Sequence, residues 1–392
     1  MSKLLWILSI VTLPLLMVKY YRFAEIPATH LFLLAAGLMN IGTILKLKSG
    51  KIEKVIYSTF ILFIVIAFFD LIRTKQTNID FIFEFKLIVL LITIKLYSFF
   101  MSKFGINLFI KWLSVSSGII LLGLLFRSLF IFKAPFFVLD AEIITESGKN
   151  QAAFYLALTI PFMFWYFKKQ LMSTIWKVVL GCTLAVHLFA AIYVQSKGLL
   201  LALIISFGIT ILFYTNVKFK LTDLLKLGIV SLIPFYFIFS NEIIDLQGFK
   251  SDINSLLNQD VADNNSSEER LGLLSKSYNH FSENPFLGIG TNNFAQIEQK
   301  ATHNNYLQIL TENGLIGFMI FIGYLIFSHR KLVKLKSKSV NFLLVINSFW
   351  ALTIYLFVIN GFFNAITTIV LALIIFYEKS VNYSVKTIEY ES

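Results

Sequence analysis

Long apolar runs with almost no charge recur from one end of this chain to the other. Each is close to the roughly 17–25 residues that a helix needs to cross a hydrocarbon core. No soluble fold buries so many of them. Of the 392 residues, 57% are hydrophobic and the mean hydropathy is +0.77. Soluble domains hold roughly 45–50% apolar residues. The alternating segments of about ten residues that mark a transmembrane β-barrel are missing. The fold expected is therefore all-α: one polytopic transmembrane bundle over residues 1–392, with about twelve spans. They are placed near 4–20, 28–45, 52–72, 82–101, 105–132, 150–167, 173–195, 198–215, 224–240, 305–328, 340–358 and 361–377.

The formal net charge of +12 would suggest nucleic acid in a soluble protein. Here no basic-aromatic nucleic-acid motif appears, and no nucleic-acid partner is expected. The charge fits cytoplasmic loops facing anionic lipid. "KLKSGKIEK" (46–54), Lys168 and Lys169, "KFK" (218–220) and "HRKLVKLKSK" (329–338) all fall on one side, which places both termini in the cytoplasm. Cys182 is the only cysteine. It excludes an intrachain disulfide, and no cysteine cluster suggests zinc. The apolar N-terminus reads as an uncleaved first helix.

Residues 241–304 form one large external loop with nine acidic and four basic residues. Its second part, "EERLGLLSKSYNHFSENP", reads as an amphipathic helix lying on the membrane or on the bundle. Leu271, Leu274, Tyr278 and Phe281 make its apolar stripe. Ser267 can cap it, and Asn284-Pro285 ends it. Arg270 flanks that stripe, either snorkelling at a lipid surface or clamping an anion with its guanidinium fork. In "NPFLGIGTNNF" (284–294), Gly288 and Gly290 allow a turn with open backbone N–H groups, which can cradle an oxyanion or simply reverse the chain.

"THNNYLQILTENGLIGF" (302–318) follows. Asn304 or Thr302 can cap the helix that starts there. His303 sits just before the cap, where the helix dipole disfavours imidazolium and leaves a neutral base. Glu312 lies about two turns into the span, where a carboxylate is costly and marks a site by default. It could instead pair with Lys197 or Arg127. Gly314 and Gly317 read as close-packing positions. Lys197, in "VQSKGLLLA" (194–202), and Arg127, near the end of the fifth span, add cations on the same side. Lys86, Lys95 and Lys111 read as snorkelling or structural. Together the outer groups would offer cations for a phosphate, a neutral base and a loop as lid. No metal cage and no cofactor site is expected.

The ordered set Gly288-x-Gly290, Phe294, His303-Asn304, Leu307, Glu312, Gly314 and Gly317 resembles the O-antigen ligase and polymerase superfamily of bacterial membrane glycosyltransferases. "SKGLLLALIISF" (196–207) looks like the family's Ser-Arg-Gly segment, and "GKNQAAFYLALTIPF" (148–162) like its Asn-rich approach to a span. The resemblance is specific across about 145–330 and topological elsewhere. It implies an inner-membrane enzyme with a periplasmic active site, so that 241–304 would be periplasmic. Such enzymes take a glycan from undecaprenyl diphosphate without a nucleotide sugar or a metal. Ligases pass it to lipid A core, polymerases to a second carrier-linked glycan. By residue, His303 matches the catalytic histidine, the base for the acceptor hydroxyl. Arg270 matches the loop arginine that stabilises the departing diphosphate. Lys197 stands where the family usually has arginine, which keeps the positive charge but loses the fork.

The motif tilts the reading toward a ligase-like transferase, with a polymerase of polysaccharide repeat units as the alternative. Two readings from other classes remain open. A transporter or flippase for lipid-linked glycans would use charges in a central cavity, and Lys95 and Glu312 keep it in view. A non-catalytic subunit of an export complex would not need His303.

Overall fold

A computed structural model describes residues 1–17, 22–23, 26–47, 49–73, 82–126, 149–168, 173–194, 196–215, 265–300, 302–336, 339–359 and 362–391. The described chain is helical apart from a two-residue antiparallel ladder, Arg22–Phe23 against Ile26–Pro27. The helices are α1 (Ser2–Val11), α2 (Ala28–Leu38), α3 (Ile41–Leu45), α4 (Lys51–Arg73), α5 (Ile82–Phe104), α6 (Ile106–Phe126) and α7 (Lys149–Phe167). They continue as α8 (Thr174–Tyr193), α9 (Lys197–Tyr214), α10 (Asn265–Glu283), α11 (Asn293–Glu298), α12 (Asn305–Lys334), α13 (Val340–Tyr355) and α14 (Ala365–Glu391).

Five helices are long and apolar enough to cross a membrane: α4, α6, α8, α12 and, from Phe83, α5. Within α1, α2, α7, α9 and α13 the apolar helices are shorter. The expected span at 224–240 lies outside the described residues, as does residue 127 beyond the end of α6.

Helices in lipid associate by close packing more than by the hydrophobic effect, and aromatic rings do much of that packing here. Trp6 of α1 is fully buried against Phe100, Phe104 and Phe109. Phe154 of α7 stacks on Tyr355 of α13. Phe363, just before α14, meets Phe60, Phe63 and Phe83 edge-on. α13 packs against both α7 and α9, α14 against α5, and α4 against α12.

The lysine-rich start of α4 is locked by charge. Glu53 is fully buried and pairs with Lys95 of α5 at 2.6 Å and with Lys379 of α14 at 3.0 Å. Tyr57 donates to the same carboxylate, and Glu378 accepts the N–H groups of Ile52 and Glu53. The first-turn amides of α4, which have no partner inside the helix, are thus satisfied from α14. Lys111 lies 4.5 Å over the Trp176 ring.

Candidate functional site

The sequence 284–294 becomes a turn that is inserted into a break in α12. Gly314 carries φ 61° and ψ −163°, which interrupts the helix. An unbroken helix would bond the N–H groups of Leu315 and Ile316 to the carbonyls of Thr311 and Glu312. Instead Leu315 donates to Pro285 O at 2.8 Å and Ile316 to Phe286 O at 3.3 Å. The freed carbonyls of Thr311 and Glu312 accept from Ile289 at 3.0 Å and Gly290 at 2.9 Å. Two helical bonds are opened and four bonds to the turn replace them. That satisfies irregular backbone inside a span, where an unpaired amide costs several kcal/mol.

The glycines follow from this geometry. A Cβ on Gly288 would run into the Glu312 carbonyl, and one on Gly314 into the Phe286 carbonyl. Gly288 and Gly290 both have positive φ, 68° and 103°. Gly314 therefore receives the turn's backbone, and helix–helix packing is not its role. Gly317 faces its own helix at Asn313.

Glu312 is 4% exposed. Its carboxylate accepts from the backbone N–H of Asn292 at 3.0 Å and of Phe294 at 3.3 Å, and from the Gln308 amide at 3.2 Å. It holds the start of α11, where the helix dipole favours an anion. Glu312, Gly288 and Gly290 are thus brought together.

A second carboxylate holds the turn from the other side. Asp70, one turn from the end of α4, accepts from the Thr291 N–H at 2.9 Å and its hydroxyl at 2.8 Å. Arg73 donates to Asp70 at 3.0 Å and to the carbonyl of Gly288 at 2.8 Å. The Asn313 amide donates to the Thr291 hydroxyl at 2.6 Å. Sequence reasoning passed over Asp70 and Arg73. The available signal was the pair of opposite charges three residues apart in "FFDLIR", at the end of an apolar run.

His303 and Asn304 lie at the other end of the first α12 segment. Asn305 and Glu312 are separated by about 10 Å along the axis at 1.5 Å per residue. Asn304 caps α12 by accepting from the Leu307 N–H at 3.1 Å. His303 is half-buried in the left-handed region, φ 53°. The junction is pinned to the end of α13: Asn305 donates its N–H to Leu356 O at 2.8 Å, and the Tyr306 hydroxyl donates to Thr353 O at 2.9 Å. The Tyr306 ring stacks 4.0 Å from Phe357.

The amphipathic helix departs from expectation at its start. α10 starts at Asn265, so Ser267 lies inside it and is not its cap. Of the two settings expected for its apolar stripe, membrane or bundle, the bundle does not cover it at Leu274, 52% exposed, and Tyr278, 64% exposed, whereas Leu273 and Ser277 are buried. The face carrying Leu273 and Ser277 wins because it meets α12, where the Thr311 hydroxyl donates to Ser277 O at 3.3 Å. α10 is also tied to α11: Lys276 and His280 bind the Glu298 carboxylate at 2.5 and 2.9 Å. The hydrogen bond from Lys276, then that from His280, holds Glu298 below its ordinary value.

The backbone of Arg270 lies in α10, and that of Lys197 opens α9 behind the cap Ser196, which accepts from the Leu199 N–H at 3.3 Å. The side chains of both, and all of Arg127, lie outside the described residues. Of the two charges that kept a transporter in view, Lys95 is paired with Glu53, and the Glu312 carboxylate is held by the turn.

A model of the family described as O-antigen ligase matches residues 182–322. The matched stretch runs from within α8 to within α12 and contains Lys197, Arg270, Gly288, Gly290, His303, Asn304 and Glu312. No curated protein matches the chain. The apolar helices and the family together indicate an integral membrane protein with glycosyltransferase-like chemistry on lipid-linked glycans. Over residues 182–322 this match supports a likeness to the O-antigen ligase and polymerase superfamily.

Proposed function

We propose that the protein is a ligase-like glycosyltransferase that moves a glycan from undecaprenyl diphosphate to an acceptor hydroxyl, that of lipid A core, at the periplasmic face of the inner membrane. The observation that carries this reading is the family match over 182–322, which holds the ordered motif with His303 at the capped start of α12. His303 takes the proton of the acceptor hydroxyl. That oxygen attacks the anomeric carbon, and the bond from this carbon to the diphosphate oxygen breaks. The electron pair leaves with undecaprenyl diphosphate. Arg270 stabilises the charge that develops on it, and Lys197 and Arg127 add positive charge for the same group. Asn304 caps the histidine's helix, and Glu312 holds the turn of Gly288 and Gly290, toward which the diphosphate-linked glycan binds. Residues 241–304 form the periplasmic loop that covers it. No metal enters these steps.

A polymerase using a second carrier-linked glycan as acceptor shares every one of these residues. The test is the lipopolysaccharide and carrier-lipid profile of a deletion strain complemented with wild type or His303→Ala. Full-length glycan stranded on the carrier, with bare lipid A core, means ligase. Single repeat units on the core, with no ladder, mean polymerase. Loss of product by about 10²–10⁴-fold at normal protein level is expected of His303→Ala, the range for one positioned base. Rescue by that variant would overturn the histidine chemistry.

A further inference from the structure

We propose that the Pro285–Leu287 turn and the outer face of α10 form a wedge seated in the lipid of the membrane leaflet remote from the lysine-rich helix ends. Phe286 is 68% and Leu287 38% exposed, and on α10 Leu274 and Tyr278 are more than half exposed. Exposed apolar side chains grouped in this way mark a surface that something apolar covers.

What covers it is settled by level and continuity. Phe286 is hydrogen-bonded to Ile316 through the backbone. Leu315, Ile316 and Met319 of α12 are themselves exposed apolar residues on a candidate membrane span. The wedge therefore continues a surface that already faces lipid. Two helices give its depth. From Lys51, at the start of α4, to Leu71 is 20 residues, about 30 Å. From Lys331, in the last turn of α12, back to Leu315, just past the Gly314 break, is 16 residues, about 24 Å. A hydrocarbon core is about 30 Å thick. α4 thus reaches the far boundary where it meets the turn at Asp70 and Arg73, and the unbroken part of α12 ends about one turn short of it, at the Gly314 break. α10 crosses at that level too, through Ser277 and Thr311. Tyr278 then sits at the interface, where an amphipathic ring is favoured. The turn can enter this zone because its amides are taken by α12.

The consequence is a mechanical link between bilayer and site. Lipid presses on Phe286 and Leu287, and the next residue, Gly288, is held by Arg73 and backed on Glu312.

The proposal does not depend on the reaction catalysed. Its test uses the full chain in phospholipid vesicles with Cys182→Ser, because Cys182 is exposed. A nitroxide is attached in turn to Tyr278→Cys, Phe286→Cys, Leu287→Cys and, as an aqueous control on the exposed charged face of α10, Glu283→Cys. Collision rates with oxygen and with a neutral nickel chelate are then measured. The expected result is an oxygen-to-nickel ratio several-fold higher at 278, 286 and 287 than at 283. A ratio equal to the control would mean that the wedge stands in water, and would overturn the proposal. Protection from both reagents would mean that a protein surface covers it, and would overturn it equally. Each labelled variant is first checked for an unchanged thermal transition, and the two neighbouring turn positions guard against one variant that misfolds.

Discussion

At the scale of single residues, Gly314 and Gly288 are doubly constrained. Each has positive φ and no room for a Cβ. A residue with a Cβ at the φ and extended ψ of Gly314 costs roughly 1–3 kcal/mol before any clash is counted. Gly314→Ala should therefore lower stability by more than about 2 kcal/mol, read as a fall in the thermal transition of purified protein in detergent. An unchanged transition would mean that the helix break is not held as described. Lys197 gives the opposite kind of prediction. If it carries positive charge to a diphosphate, Lys197→Arg should retain activity within a few-fold, since both residues bind phosphate. Severe loss at normal protein level would separate this position from the family's arginine.

At the scale of elements, the turn is held by two carboxylates from distant helices. Asp70 accepts two hydrogen bonds from Thr291, so Asp70→Ala leaves both donors and Arg73 without that partner. A buried group left unsatisfied costs about 1–3 kcal/mol, more when charge is involved. Hydrogen exchange at 288–294 should accelerate more than exchange in α13, and equal acceleration would point to global destabilisation instead. The α10–α11 contact should respond to pH. Glu298 has a depressed folded-state value, so its contribution is complete above the ordinary carboxylate range of about 4–4.5. That contribution is lost as the pH falls through the folded value. Glu298→Gln should remove the pH dependence of α10 protection between about pH 5 and 3; a variant that retained it would exonerate this carboxylate.

At the scale of the whole molecule, the two ends of the bundle are organised differently. The lysine-rich end is closed by the Glu53 cluster, which joins α4, α5 and α14. Lys95→Met leaves a fully buried carboxylate with one of its two cations. Breaking a buried pair from one side costs roughly 3–5 kcal/mol, with Lys379 offsetting part of it here. The expected outcome is a lower thermal transition with the His303-dependent product still formed by the folded fraction. Loss of product without a change in stability would bring a transport role for this charge back into view.

Much of this was legible in the sequence because membrane insertion is decided by local composition. Length and hydropathy of each run indicate a helix without reference to neighbours. The Asn304 cap, and the end of α10 before Pro285, are likewise local. The ordered motif also singled out Gly288, Gly290, His303 and Glu312 before any geometry was known. What tertiary structure decided was partnership. Which face of α10 meets the bundle stayed open, because hydropathy shows that a stripe is apolar but not whether protein or lipid covers it. Asp70 and Arg73 were missed because their partners are more than 200 residues away. Gly314 was read as a packing glycine because the turn that opens α12 comes from another segment. The sequence by itself determined the solvent each helix requires; only the fold decided which backbone and carboxylate groups meet at the break in α12, since those bonds form across the chain and leave no periodic trace in it.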